Sequence, residues 1–159
     1  MKIGKALSEK KAAQNALSRL MILREKTMFY EEEKEPELIF SDLENMIDEK
    51  TRLIKDLKMR IIYTNCNHKL ENGMLLQEAI INIGDLRAEL KAYNSLLEKE
   101  PGGRSYFGSS RDTDREYRSQ ISKREIMDKI EEMEIEKNKL DSLIAQANNA
   151  VDIVDEVPG

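Results

Sequence analysis

The sequence has one cysteine, Cys66, and no tryptophan. A lone cysteine excludes an intrachain disulfide, so no disulfide framework can stand in for a core. Aromatic residues make up only 5% of the chain, which argues against a thick globular core and for helices that bury narrow stripes. Long apolar runs are missing as well. The longest aliphatic stretch is Leu20-Met21-Ile22-Leu23, far short of the roughly 20 residues that cross a bilayer. Lys2, Lys5, Glu9, Lys10 and Lys11 occupy the place where a signal peptide needs an apolar centre, so we expect a soluble, cytoplasmic protein without membrane insertion. Positive charge is not in excess either. With a net charge of −5 and a pI near 5.2, the chain lacks the basic footprint that general DNA or RNA binding requires, and no DNA partner is expected.

What is present is charge, at 36% of residues, arranged on helices with apolar stripes in the manner of coiled coils and bundles. Ile3, Ala6, Leu7, Ala13, Leu17 and Leu20 recur at three- and four-residue steps and predict a first helix over about 3–30. The acidic Glu31-Glu32-Glu33-Lys34-Glu35-Pro36-Glu37 breaks it, by like-charge repulsion and by a proline that cannot continue an interior turn. A second helix follows over about 37–62, with Ile39, Leu43, Met46, Lys50, Leu53, Leu57 and Arg60 on one heptad seam and Ile47 and Ile54 beside it. Leu76, Ala79, Ile83, Leu86, Leu90 and Leu97 predict a third over about 76–99, in which Gly84 suggests close approach by another helix. Pro101-Gly102-Gly103 opens a polar loop over about 100–121. Ser122-Lys123-Arg124-Glu125 has capping-box spacing and starts a fourth helix over about 122–154, whose seam runs through Ile126, Ile130, Met133, Lys137, Leu140, Ile144 and Ala147.

Between the second and third helices, over about 63–75, the chain changes character. Asn72-Gly73 is the strongest short signal for a two-residue type I′ turn, so the sequence predicts a small β-hairpin there. The expected fold is thus all-α: one domain, a long antiparallel helical bundle or coiled coil interrupted by that hairpin. Asn72, Gly73, Met74 and Leu75 are its candidate interaction residues, either capping their own bundle or pairing with another subunit.

Thr64-Asn65, then Leu70-Glu71-Asn72-Gly73, then Leu76-x-Glu78-Ala79 resembles the centre of the septicolysin-like family of small bacterial helical proteins, a domain of unknown function. The start Met1-Lys2-Ile3-Gly4-Lys5-Ala6-Leu7 and the late Leu140-Asp141-Ser142-Leu143-Ile144-Ala145-Gln146-Ala147-Asn148 are similar to that family's ends. Met74-Leu75 departs from the threonines usual before its third helix. The resemblance implies a helical bundle with a small hairpin and no activity. Its toxin-like name implies membrane lysis, which these residues do not support.

Three chemistries compete with a purely structural role. Cys66 and His68 sit two residues apart and could form a metal or redox site, but a structural zinc site takes four ligands, so Asn65, Glu71 or a second subunit would have to complete it. Ordinary turn residues are the simpler account, and no metal or cofactor is expected. Arg104, Arg111, Arg115, Arg118 and Arg124, with Tyr106 and Phe107, could grip an anion or stack on single-stranded nucleic acid. Asp112, Asp114 and Glu116 dilute that charge. No nucleophile elbow, phosphate loop or zinc-protease helix occurs, so no enzyme is expected. The remaining expectation is a structural or protein-interaction module that self-associates into a homo-oligomer through its helix stripes, or binds another protein with them.

Overall fold

The computed structural model describes residues 1–99 and 117–158. Four helices account for its regular structure: α1 (Ile3–Lys26), α2 (Phe40–Asn67), α3 (Leu76–Leu97) and α4 (Lys123–Ala150). The chain divides into two compact units, Met1–Gln77 with Ile144–Gly159, and Glu78–Leu143.

In the first unit α1 packs on α2. Their antiparallel sense follows from the Arg24–Glu44 ion pair near one end and, at the other, from residues 151–154, which bond both to Ile3 and to Arg60. Leu43, Ile47, Ile54, Leu57 and Ile61 recur at three, four and seven residues and are all buried, the stripe expected of a helix that covers one partner. Half of the predicted heptad seam is not used this way. Leu43 and Leu57 are buried, whereas Ile39, Met46 and Leu53 are exposed.

The second unit pairs most of α3 with most of α4. Arg87 Nη2 donates to Asp141 Oδ1 at 2.9 Å, and Lys129 Nζ lies 5.7 Å from the centre of the Tyr93 ring. Those contacts run in opposite directions along the two helices, so this pair is antiparallel too. Ile83, Leu90, Ile126 and Leu140 are buried along it. Gly84 has nothing within 4 Å of the position its Cβ would take, so it marks no close helix approach.

The helix limits differ from the sequence expectation in instructive ways. α1 stops at Lys26, where the Thr27 hydroxyl donates to the Arg24 carbonyl, and does not reach Tyr30. α2 continues to Asn67 through residues that read as strand. Thr64 and Asn65 extend its buried face one turn beyond Ile61, and the Thr64 hydroxyl donates to Arg60 O at 2.8 Å within the helix, satisfying itself there. α4 begins as the spacing at Ser122 indicates. Ser122 N and Oγ donate to Glu125 Oε2, and Glu125 N donates back to Ser122 Oγ, a reciprocal capping box.

The small hairpin between α2 and α3 does not form. Among the described residues there is no strand there, only one isolated antiparallel bridge between Lys69 and Leu75. Leu70 N donates to Met74 O at 2.8 Å and Gly73 N to Leu70 O at 2.9 Å. Within this turn only Gly73 has positive φ, at 84°, so the two-residue type I′ turn is replaced by a turn followed by a left-handed glycine. Asn72 contributes through its side chain, whose Oδ1 accepts from Met74 N at 3.1 Å. Because α2 runs to Asn67 and α3 starts at Leu76, no ladder can extend outward from that bridge.

Candidate functional site: the two ends of the α1–α2 pair

One end of the pair is a closed joint. α1 starts at Ile3 without a side-chain cap, which would leave its first N–H groups unpartnered. Residues 151–154 supply part of what is missing. Ile3 N donates to Val151 O at 2.9 Å, Ile153 N donates to Met1 O at 2.8 Å, and Lys2 bridges Asp152 in antiparallel sense. The alternating Val151-Asp152-Ile153-Val154 explains why α4 ends at Ala150: Ile153 turns in and is buried, Asp152 turns out to Lys2. The same segment is tied to α2. Arg60 Nε donates to Val154 O at 2.7 Å, and Val154 N donates to Thr64 Oγ1 at 3.1 Å. Arg60, placed by the sequence on the heptad seam, is spent on this joint and on Asp56.

The electrostatics of the joint are structural. The hydrogen bond from Lys2, with a second from the Met1 amino group, holds the Asp152 carboxyl below the ordinary carboxylate range. At the α4 start, the Ser122 backbone and hydroxyl donors likewise lower Glu125, with help from Lys129. The 68–76 turn also faces inward. Leu76 N donates to His68 O, Leu70 and Leu76 are buried, and Gln146 Nε2 donates to Glu71 Oε1 at 2.8 Å. Within that turn Asn72 and Gly73 are exposed, and Met74 and Leu75 are half-buried. Asn65 Oδ1 is buried here with no hydrogen-bond partner.

The metal candidates are not brought together into a ligand set. Cys66 is exposed, His68 is half-buried, and Glu71 is engaged by Gln146. Among the described residues no three His, Cys, Asp or Glu side chains are placed to hold a metal ion. Of the anion-binding candidates, Arg104, Arg111 and Arg115, with Tyr106 and Phe107, lie outside the described residues, while Arg118 and Arg124 are exposed within them.

The other end of the pair is open. Past Arg24 and Glu44 the chain leaves large apolar side chains in water: Phe29 is 80% exposed and Tyr30 65%, and Met28, Leu38, Ile39 and, at the start of α2, Phe40 are exposed as well. The exposed half of the α2 seam continues from Ile39, with Met46 at 50% and Leu53 at 41%. Scattered exposed apolar residues are ordinary, but an apolar patch of several hundred Å² marks an interaction surface. Sequence reasoning missed this surface because it carried α1 to Tyr30 and took 31–37 as a plain acidic connector. Met28-Phe29-Tyr30 followed by Leu38-Ile39-Phe40 around that acidic run was the available signal.

Comparison with known proteins adds a family and a fold. A family model described as "Family of unknown function (DUF6847)" matches residues 10–153. No curated protein matches the chain. A solved structure described as a functionally unknown conserved protein from Corynebacterium diphtheriae superposes with a TM-score of 0.82, at 24% identity over 97% of this chain and 99% of that one. At that identity the likeness establishes the fold alone. No helix among the described residues is long and apolar enough to cross a membrane.

Proposed function

The chain belongs to this family of unknown function, and we propose that it is a non-enzymatic helical module that self-associates through the open end of its α1–α2 pair. One observation carries the reading: Ile39, Met46 and Leu53 repeat at seven residues yet are exposed, as are Met28, Phe29 and Tyr30 in the connection before α2. A heptad stripe packs naturally against another helix. Covering roughly 400 Å² of apolar surface would contribute about 10 kcal/mol, against an association cost of roughly 4–15 kcal/mol. Those magnitudes nearly balance, so the account favours a concentration-dependent equilibrium over a permanent complex.

The absence of enzymatic activity belongs to the same reading. It is supported by the shifted carboxylates, Asp152 and Glu125, whose shifts are explained by a backbone joint and a helix cap. A cytoplasmic, bacterial setting is part of it as well, since an exposed Cys66 suits a reducing compartment. So is the septicolysin-like resemblance of residues 64–79, which implies a helical protein without an assigned activity.

Sedimentation equilibrium of the full chain tests the proposal. The expected mass rises above 18.4 kDa with concentration and returns to it on dilution, and Met46→Ser with Leu53→Ser shifts the equilibrium to the monomer. A mass of 18.4 kDa at every concentration would sink it.

A further inference from the structure

The apolar cluster at the open end does not stand alone. It surrounds an acidic connection in which Glu31 is paired with Lys34 and Glu32, Glu33, Glu35 and Glu37 are exposed. Whatever covers Phe29 and Tyr30 must also meet that charge, because burying a surface beside uncompensated carboxylates opposes association. An anionic membrane is thereby disfavoured, and a partner presenting cations beside apolar groups is favoured.

This chain carries such a surface. Residues 117–124, Tyr117-Arg118-Ser119-Gln120-Ile121-Ser122-Lys123-Arg124, hold three cations and no carboxylate. Arg118, Lys123 and Arg124 are all exposed, and Tyr117 is 58% exposed. The segment is positioned by the Ser122–Glu125 capping box at the start of α4. Of the described residues, it offers what the acidic end lacks: opposite charge next to an exposed aromatic ring.

We propose that the occupant of the open end is residues 117–124 of a second copy of this chain. Arg118, Lys123 and Arg124 of one copy meet Glu32, Glu33, Glu35 and Glu37 of the other, and Tyr117 packs with Phe29 and Tyr30. The inference rests on the self-association proposed above and names which surfaces meet. Exposed ion pairs are individually weak, so the apolar contact supplies most of the affinity. The charges set which surfaces recognise one another and how fast they find each other.

Charge reversal followed by mixing tests this. In the full chain, Glu32→Lys, Glu33→Lys and Glu35→Lys together form one variant, and Arg118→Glu, Lys123→Glu and Arg124→Glu the other. Self-association of each alone is expected to weaken at least about tenfold at low salt, the scale of several exposed pairs turned repulsive. An equimolar mixture recovers association, because the reversed surfaces are complementary across copies. For wild type, raising salt from about 0.1 M to 1 M shortens screening from roughly 10 to 3 Å and weakens association in the same direction. The parallel series with Gln at all six positions guards against misfolding; its losses are smaller but of the same sign, at an unchanged melting temperature. If wild type associates but neither reversal matters, this inference falls while self-association stands. If each reversal weakens association and mixing restores nothing, the attraction is not between copies and the inference also falls. A wild type that never associates overturns both readings.

Discussion

The two ends of the α1–α2 pair are built from the same helices and end in opposite conditions. At the closed end, Ile3, Leu57, Leu70, Leu76 and Ile153 are buried, backbone groups of 1–3 bond those of 151–154, and the 68–76 turn bonds within itself. At the open end, Met28, Phe29, Tyr30, Leu38, Ile39 and Phe40 are exposed around a run of glutamates. The contrast teaches where the chain uses its apolar residues for folding and where it holds them in reserve. Hydrophobic burial is the dominant favourable term in folding, so a domain that leaves two neighbouring aromatic rings outside draws little of its stability from them.

The comparison breaks first at its largest expected effect. Leu76→Ala at the closed end, where the side chain is fully buried, should cost about 2–5 kcal/mol in urea unfolding. Phe29→Ala at the open end should stay within about 0.5 kcal/mol when measured on the dilute monomer. Equal losses at both positions would erase the distinction. Next comes Thr64→Val, which removes the acceptor for Val154 N and the donor to Arg60 O. Leaving a part-buried N–H without a partner should cost about 1–3 kcal/mol, and amide exchange at Val154 should accelerate. Gly73→Ala forces a Cβ into the left-handed region at φ 84° and should cost roughly 1–2 kcal/mol in thermal unfolding. The smallest effect is in acid. Because Lys2 depresses Asp152 in the folded chain, the carboxylate adds stability above the ordinary aspartate pKa of about 3.9. That increment fades as pH falls below it toward the folded value. Asp152→Asn should abolish this part of the acid dependence; a melting curve against pH that matches wild type would refute the role given to Asp152.

Much of the helical framework was legible in the sequence, though not the closed joint. The 3.6-residue spacing of α2 and α4 and the capping box at Ser122 are local signals, and local signals survive without knowing the tertiary neighbours. The Asn72-Gly73 turn was legible too, but not the hairpin's failure. Whether Tyr63–Asn67 is strand or helix depends on Ile61, Thr64 and Asn65 sharing one buried face, which is a tertiary fact. The joint between residues 1–3 and 151–154 links positions about 150 residues apart, and no periodicity reports such a pairing. The open end failed for a different reason. A heptad seam says which residues face one way, not whether the partner is α1 or another molecule, so Met46 and Leu53 read like Leu43 and Leu57.

Hydrogen–deuterium exchange of the full chain at low and high concentration tests the central contrast most directly. The account predicts that amides over 28–46 gain protection as concentration rises, while those over 60–67, already bonded within the joint, stay unchanged. Protection that is the same at both concentrations in both regions would contradict it.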